Sequence, residues 1–258
     1  MKIVRYRDAN TGAVRYGVLE GETVYAATGD PFTGLAPGEE VGTVERVALL
    51  APIAPGKIVC VGLNYAAHVT ENDANRQIPD EPVLFMKPPS AVIGPGATIE
   101  IAHPAHNTDY EAELAVVIGK RAKDVAEGDV PAYVLGYTCA NDVSDRVLQK
   151  KDGQWVRAKG FDTYCPLGPC IETELNVTGS AVRSRLNGEP RQSQSTANMI
   201  FGAHKLVSFI SQIMTLEPGD VILTGTPEGV GPLHPGDTIE VEVGGVGVLT
   251  NPVGARQA

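Results

Sequence analysis

Apolar residues in this chain alternate with polar ones, or run without interruption, in many short segments. The segment Asp109–Gly119, DYEAELAVVIG, shows both patterns. Successive side chains of a strand point to opposite faces, so Glu111 and Glu113 share one face. From Leu114 onward both faces are apolar, which predicts a strand that is covered on both sides. The two acids are therefore expected at the edge of a buried layer.

Strand signals dominate the rest of the chain. Residues 1–52 contain the short runs KIVRYRD, AVRYGVLE and GETVYAA, followed by GDPFTGLAPGEE, whose glycines and prolines predict a loop. A buried strand is expected at Lys57–Val61. The segments GPGATIEI, EPGDVILTG and HPGDTIEVEV each predict a Pro-Gly turn followed by a strand. Pro presets φ at the first central position of a type II turn, and Gly accepts positive φ at the second.

Two segments have helical signals. DVSDRVLQKKDG predicts a helix from Asp142 to about Lys151, and AHKLVSFISQIMTLEPG predicts a second one. The apolar face of the second helix comprises Leu206, Val207, Ile210, Ile213 and Met214. Strands and helices do not alternate regularly, which disfavours a doubly wound sheet or a TIM barrel. The pattern predicts a mostly β fold with α+β elements, divided into a small β-rich domain at residues 1–52 and a catalytic domain at residues 53–258.

Composition and charge narrow the range of partners. The chain is 43% hydrophobic and 20% charged, as in ordinary globular proteins, and no apolar run approaches the roughly 20 residues of a membrane span. Its formal net charge of -10 disfavours binding to nucleic acid or to anionic membranes. A small anionic substrate would need a local basic group or a metal ion. Four scattered cysteines without a CxxC pair, and a start without a signal peptide, predict reduced thiols and a cytoplasmic location.

Three acids indicate a metal site. Glu111 and Glu113 are about 6.6 Å apart along one face of a strand, a separation that one ion can bridge. Asp142 is expected where the strand YVLGYTCA ends and a helix begins, with Arg146 and Gln149 on the same helical face. Three carboxylates favour Mg²⁺ or Mn²⁺ over zinc and leave about half of an octahedral shell for water or substrate. Taken singly, paired strand glutamates are usually solvated and an Asp before a helix is usually its N-cap, so the prediction depends on their joint occurrence.

Other segments carry weaker signals. In VGLNYAAHVTEN, a helical turn would make His68 a neighbour of Glu71, and a carboxylate that orients an imidazole produces a general base. The spacing alone favours an ordinary surface turn. The polar loop that follows is long enough to act as a lid. Lys159 in RAKGFDTYCPLGP is expected from its context to be a solvated loop lysine. LTGTPEGVG has N–H groups that could face an anion, but its pattern favours a plain hairpin turn.

A rival metal site is suggested by HPAH. His103 and His106 together with Glu111 could bind a softer metal, and a zinc hydrolase is an alternative on this basis. Pro104 makes the segment a loop without helical spacing, which disfavours this alternative. No GxxxxGK[ST], strand-linked GxGxxG or GxSxG is present, so nucleotide binding and serine hydrolysis have no support.

In combination, these segments resemble the fumarylacetoacetate hydrolase family in its smaller prokaryotic-type form. The resemblance extends from about Lys57 to Pro252, and its segments occur in family order. They are VGLNYAAHVTE, LFMKPPSAVIGPG, DYEAELAVVIG, GYTCANDVSDRVLQ, AKGFDTYCPLGP, NGEPRQSQSTANMIF and LTGTPEGVG with the PGD turn after it. The resemblance implies a mixed β-roll catalytic domain after a small N-terminal domain, and a homodimer.

The resemblance also implies roles for individual residues. The expected ligands of Mg²⁺ or Mn²⁺ are Glu111, Glu113 and Asp142. The side chains expected to handle the substrate are Arg146, Gln149 and Lys159, with Thr226 contributing from the TGTP loop. His68 and Glu71 are expected to form a dyad on a lid.

Substrates in such a family are 2-oxo acids, or their enols, that carry a second carbonyl or carboxylate. The dyad favours hydrolysis of an acylpyruvate or fumarylpyruvate, in which His68 activates water while Lys159 and the metal stabilise the enolate left by C–C cleavage. If His68 only moves protons, the same site would isomerise a 2-hydroxyhepta-2,4-diene-1,7-dioate or decarboxylate an oxaloacetate-type acid. A non-catalytic binding module is a further alternative, disfavoured because every ligand and dyad position is filled.

Overall fold

The computed structural model describes residues 1–71 and 73–256, and it is mostly β, as predicted. The last two residues of the predicted catalytic domain lie outside the described residues. Within the described residues there are twenty strands and four α-helices.

The strands are β1 (Lys2–Arg7), β2 (Val14–Glu20), β3 (Thr23–Asp30), β4 (Gly34–Thr43), β5 (Ala48–Leu50), β6 (Ile58–Gly62), β7 (Val83–Lys87), β8 (Val92–Ile93), β9 (Ile99–Ile101), β10 (Thr108–Tyr110), β11 (Ala112–Ile118), β12 (Val134–Asn141), β13 (Ser144–Asp145), β14 (Cys165–Glu172), β15 (Ala181–Leu186), β16 (Glu189–Ser195), β17 (Val221–Leu223), β18 (Gly231–Pro232), β19 (Thr238–Val243) and β20 (Gly247–Ala255). The α-helices are α1 (Ala66–Thr70), α2 (Arg146–Asp152), α3 (Val156–Lys159) and α4 (Ala203–Ile213). None of the described helices is long and apolar enough to cross a membrane.

The strands form three sheets. The largest has the order β4-β3-β2-β1-β14-β12-β11-β17-β6-β7, with β5 beside β1 and β8 beside β14. A second sheet has the order β16-β15-β19-β20-β9, and a third has the order β13-β10-β18. Most neighbours are antiparallel, but β6 with β17, β8 with β14 and β9 with β20 are parallel. The first five strands join the large sheet because β1 pairs with β14.

Strand β11 lies in the middle of the large sheet and is covered on both faces, as its apolar run predicts. All seven of its residues are buried. Leu114 and Val116 contribute to one apolar cluster, while Ala115 and Val117 contribute to another on the opposite face. Its backbone is hydrogen-bonded to β12 on one side and to β17 on the other. The residues at the start of β11 are therefore held rigidly in place.

The three Pro-Gly turns form as predicted. Gly96, Gly219 and Gly236 have positive φ values of 74°, 88° and 100°, which glycine tolerates without a Cβ clash. In each turn the N–H after the glycine donates to the carbonyl before the proline at 3.0–3.3 Å. Strands β9, β17 and β19 follow directly.

The predicted loop GDPFTGLAPGEE is wrong, because most of it belongs to β4. This strand pairs with β3, and two register irregularities accommodate Pro37 opposite Ala27. Because β4 lies at the edge of the sheet, a residue without an N–H donor is tolerated there. The glycines and prolines therefore shape an irregular edge strand.

Helix α4 matches its predicted position, but its apolar face is shorter than predicted. Leu206, Val207 and Ile210 are buried, whereas Ile213 is 55% exposed. The helix ends at Ile213, and Met214 continues in extended backbone and packs against the core in its place. The buried apolar face therefore ends at Ile210, one turn earlier than the pattern predicts.

We expect Gly136→Ala to destabilise the protein by about 1–3 kcal/mol, because overpacking forces the backbone to move. Gly136 lies on β12, and a Cβ there would be 2.5 Å from the carbonyl oxygen of Glu172 and 2.7 Å from the Cγ2 atom of Ile171. In thermal unfolding, a protein of this size loses roughly 2–4 °C per kcal/mol. The control is Gly128→Ala, since an added Cβ there meets no described atom within 4 Å. Equal melting temperatures for the two variants would contradict this account.

Candidate metal and substrate site

Three carboxylates converge at the start of β11. One oxygen each from Glu111, Glu113 and Asp142 lies within 4.8 Å of the other two, and all three side chains are buried. Glu111 immediately precedes β11, Glu113 is its second residue, and Asp142 immediately follows β12. Because Ala112 pairs with Asn141 in the β11–β12 ladder, the register of two antiparallel strands brings the acids together.

The helix after Asp142 begins four residues later than the sequence predicts. Helix α2 starts at Arg146, and Asp145 is its N-cap, because its carboxylate accepts hydrogen bonds from the N–H groups of Val147 and Leu148 at 3.0 Å each. The residues between Asp142 and the helix include β13, which pairs with β10. The N-cap of the helix is thus Asp145 and not Asp142. The carboxylate of Asp142 lies beside the two glutamates.

Arg146 and Gln149 share one face of helix α2, as predicted. Asp142 precedes this helix and is not part of that face. They are three residues apart in α2, and Nη1 of Arg146 donates to Oε1 of Gln149 at 2.9 Å. The guanidinium also forms ion pairs with Asp109 at 2.7 Å and with Glu111 at 2.6 Å. Burial acts to lower the pKa of Arg146, but Glu111 and Asp109 outweigh it and raise that pKa. The arginine is therefore a fixed cation beside the acids.

Two buried lysines add positive charge next to Glu111 and Asp142. Nζ of Lys159 lies 2.8 Å from Glu111 and 2.6 Å from Asp142. Nζ of Lys87 lies 2.6 Å from the other oxygen of Asp142. Burial acts to lower the pKa of Lys159, but Asp142 and Glu111 reverse this effect and raise it. The prediction that Lys159 is a solvated loop lysine is wrong, because this residue ends helix α3 and is 2% exposed.

The two glutamates differ in their electrostatic surroundings. Burial acts to raise the pKa of Glu111, but Lys159 and Arg146 hold it below its usual value. The carboxylate of Glu113 accepts a hydrogen bond from the N–H of Gly225 at 2.6 Å, and no cationic side chain of the described chain forms an ion pair with it. Burial, followed by the charges of Asp142 and Glu111, raises its pKa well above the usual value. A buried set of carboxylates with one uncompensated member fits a hard divalent cation.

A cavity of about 470 Å³ opens beside the acids, a volume within the range of small-molecule sites. Most of the predicted site residues line it, namely His68, Glu111, Glu113, Arg146, Gln149, Lys159 and Thr226. Glu71 and Asp142 are not among the residues that line it: Asp142 is buried, and Glu71 is exposed. The apolar part of the wall includes Phe85, Trp155 and Val230, and the rings of Phe85 and Trp155 meet edge to face at 5.2 Å.

His68 and Glu71 are paired, as a helical turn allows. His68 belongs to helix α1, and its Nδ1 atom lies 2.9 Å from Oε2 of Glu71. The other oxygen of Glu71 accepts a hydrogen bond from the N–H of Gly229 at 2.7 Å. The Glu71 carboxylate thus orients the imidazole and is itself held by the TGTP loop.

The N–H groups of LTGTPEGVG do face anions, but these are carboxylates of the protein itself: Gly225 donates to Glu113 and Gly229 donates to Glu71. The hydroxyl of Thr226 donates to the carbonyl of Ala112 at 2.9 Å. Its proton is therefore engaged, and towards a ligand the hydroxyl acts as an acceptor.

Sequence reasoning missed three residues that organise the site. Lys87 had a signal, because it is a lone cation at the end of the apolar strand VLFMK. Asp109, which pairs with Arg146, has in the sequence only the signal of a strand start. Gln192 had no signal, since its side chain accepts from Ala112 at 3.0 Å and donates to Thr226 at 2.8 Å across long separations in the chain. The alternative histidine site contains a different acid from the predicted one, because His103 and His106 cluster with Asp145 and not with Glu111.

Comparison with known proteins assigns the chain to a family. Residues 57–254 match the model of the fumarylacetoacetate (FAA) hydrolase C-terminal domain, and residues 1–52 match the Rv2993c-like N-terminal model. The mitochondrial oxaloacetate tautomerase fahd2 of Xenopus laevis is 43% identical over 221 residues, which are 81% of this chain and 69% of that protein.

Two solved structures are similar along almost the whole chain. The 5-carboxymethyl-2-hydroxymuconate delta-isomerase from Mycobacterium smegmatis is 43% identical, with a TM-score of 0.91 and coverage of 99% of this chain and 100% of the other. The maleylpyruvate hydrolase from Sphingobium sp. SYK-6, in complex with manganese(II) and pyruvate, is 30% identical, with a TM-score of 0.82 and full coverage of both chains. The chain therefore belongs to the fumarylacetoacetate hydrolase family.

Proposed function

We propose that this protein is a hydrolase that depends on Mg²⁺ or Mn²⁺ and cleaves a C–C bond in acylpyruvate-type 2-oxo acids. The observation that carries the proposal is the His68–Glu71 pair, at 2.9 Å, on the same cavity as the three carboxylates. An imidazole oriented by a carboxylate is suited to activate water. The likeness to a maleylpyruvate hydrolase that holds manganese(II) and pyruvate supports the proposal.

The residues that would hold the ion are Glu111, Glu113 and Asp142. When bound, a divalent ion supplies Lewis acidity toward the carboxylate and 2-oxo oxygens of a substrate. Its charge would also compensate Glu113, for which the described chain provides no ion-pair partner.

The positive side chains on the cavity wall, Arg146 and Lys159, would attract a small anion despite the net charge of -10. Arg146 is fixed by Asp109 and Glu111, so its guanidinium is held in place before a substrate arrives. Lys159 would stabilise the negative charge that develops on the 2-oxo oxygen. Gln149 supplies a neutral amide on the same wall.

The proton transfers are assigned to the dyad. His68 removes a proton from water, and the resulting hydroxide attacks the distal carbonyl. The C–C bond then breaks, its electron pair passes to the pyruvate fragment as an enolate, and His68 returns the proton to carbon. Phe85 and Trp155 form an apolar part of the wall of the cavity in which these steps would take place.

A second candidate is tautomerisation or isomerisation. The observation in its favour is that relatives 43% identical to this chain are named an oxaloacetate tautomerase and a delta-isomerase. In such a reaction His68 would remove a proton from the carbon beside a carbonyl and return it at another atom. The same residues are used, but no water enters the products. Decarboxylation of an oxaloacetate-type acid would use the same enolate.

A substrate panel separates these candidates. The purified protein with Mg²⁺ or Mn²⁺ is assayed on acylpyruvates, fumarylpyruvate, oxaloacetate and 2-hydroxyhepta-2,4-diene-1,7-dioate. We expect release of pyruvate from an acylpyruvate, with activity lost after chelation and restored by the ion. Rapid isomerisation or tautomerisation without turnover of any acylpyruvate would refute the hydrolase proposal and favour the second candidate. Absence of metal-dependent turnover of every compound would favour a binding module.

Glu113→Gln tests the metal assignment. The change removes one anionic donor and keeps the side-chain volume, so we expect Mg²⁺ or Mn²⁺ affinity and kcat/KM to fall roughly 100-fold or more. Isothermal titration and steady-state kinetics measure the two effects. Because burial and the neighbouring acids already disfavour the ionised form of Glu113, the neutral amide should leave the metal-free protein unfolding at the same or a higher temperature. The control is Glu174→Gln, since this side chain is 83% exposed. A fully active variant that binds metal normally would show that Glu113 is not a ligand.

His68→Ala tests the general base. We expect kcat to fall about 10²–10⁴-fold, the usual contribution of a positioned base, while metal affinity stays unchanged because His68 is not one of the clustered acids. The matched control is His234→Ala, which removes a histidine that is 73% exposed and lies near an aspartate. An unchanged kcat in the His68 variant would exclude this residue as the base.

A further inference from the structure

A second cluster of metal-binding side chains lies outside the acidic site. It consists of His103, His106 and Asp145, and one donor atom from each lies within 4.8 Å of the other two. Nδ1 of His106 is 2.7 Å from Oδ2 of Asp145. The rings of the two histidines have centroids 4.7 Å apart and are inclined by 44°. Asp145 is buried, His106 is partly buried and His103 is exposed.

Backbone hydrogen bonds hold the cluster together. The N–H of His106 donates to the carbonyl of His103 at 2.9 Å, so both histidines belong to one turn, and Pro104 restricts its backbone. The turn leads into β10, where Thr108 lies opposite Asp145 of β13. The antiparallel pairing therefore holds the turn next to the aspartate.

The two oxygens of Asp145 have separate tasks. Oδ1 accepts the N–H groups of Val147 and Leu148 and caps α2. Oδ2 points to His106. The backbone donors that bind one oxygen fix the orientation of the carboxylate. The other oxygen is therefore already positioned to act as a metal ligand.

The donor set determines the class of metal. Two imidazole nitrogens and one carboxylate oxygen favour zinc and similar transition metals over Mg²⁺, which prefers oxygen ligands. Three protein ligands with an open fourth position are a common zinc arrangement. We propose that His103, His106 and Asp145 bind one zinc-class ion at a site that shares no residue with the acidic cluster.

The geometry requires only small movements. A tetrahedral ion with ligands at about 2.1 Å needs donors about 3.4 Å apart. The contact between His106 and Asp145 is shorter and would open as the ion takes the place of the proton on Nδ1, while Nε2 carries the one proton of the neutral ring. His103 is exposed, and in the described part of the chain its ring makes no hydrogen bond, so it can rotate toward the ion. Its ring edge already packs on Phe161 at a centroid distance of 5.4 Å.

The site lies next to the substrate side of the cavity. Asp145 directly precedes Arg146, and the N–H of Arg146 donates to the carbonyl of Asn107 at 2.8 Å. An ion at this site would join the histidine turn to the start of α2, the helix that carries Arg146 and Gln149. Zinc binding itself does not depend on the proposed hydrolase activity.

The test is a zinc titration of the full chain. The protein is stripped of metal and placed in a large excess of Mg²⁺, which occupies oxygen-ligand sites but competes poorly for imidazole. Zn²⁺ is then added in competition with a chromophoric chelator. We expect one zinc ion per chain, and at least a roughly tenfold loss of affinity in both His103→Ala and His106→Ala. Cobalt substitution should give visible absorption bands in the wild type that His103→Ala lacks.

Two controls make the result specific. His234→Ala removes a histidine whose Nδ1 lies 3.7 Å from Asp237, an arrangement without a second histidine, and it should bind zinc as the wild type does. Glu113→Gln should also retain zinc, because it alters only the acidic cluster. Asp145 is left unchanged, since it caps α2. Absence of zinc binding in excess Mg²⁺, undiminished binding in both histidine variants, or loss in Glu113→Gln alone would overturn the proposal.

Discussion

Mutual repulsion among three buried carboxylates is the constraint on which the rest of this structure depends. Glu111, Glu113 and Asp142 would move apart if the backbone allowed it, because like charges in a buried site disfavour one another. Strand β11 prevents this, since it is hydrogen-bonded on both sides and packed on both faces. Lys159 and Lys87 offset part of the charge. The sheet thus holds an unfavourable charge arrangement that a divalent ion would relieve.

The loop that contains TGTP, in the segment LTGTPEGVG, connects the metal cluster to the histidine dyad. Gly225 donates its N–H to Glu113, and Gly229 donates its N–H to Glu71. One short segment therefore positions both an acid of the metal cluster and the carboxylate that orients His68. Thr226, between them, is hydrogen-bonded to β11 and β16. The distance between His68 and the three carboxylates is therefore determined by this loop and by strand β11.

Local patterns in the sequence predict much of this fold because they report on neighbouring residues. Alternation and apolar runs predict β11 and its two covered faces, and the Pro-Gly pairs predict three turns, since φ preferences act at single residues. The errors arise where a tertiary contact outweighs a local signal. Pro37 lies in an edge strand because β3 provides a partner, and α2 begins at Arg146 because Asp145, and not Asp142, faces the free N–H groups of the helix.

The sequence by itself determined the positions of the acids, the spacing of His68 and Glu71, and the resemblance to the fumarylacetoacetate hydrolase family. The tertiary structure alone decided that Lys159 is buried between Glu111 and Asp142, that Gln192 joins β16 to the site, and that His106 faces Asp145. These contacts join residues 17 to 80 positions apart in the chain. Periodicity and turn propensity act over a few residues, whereas a side chain's partner across a sheet is set by strand order and register.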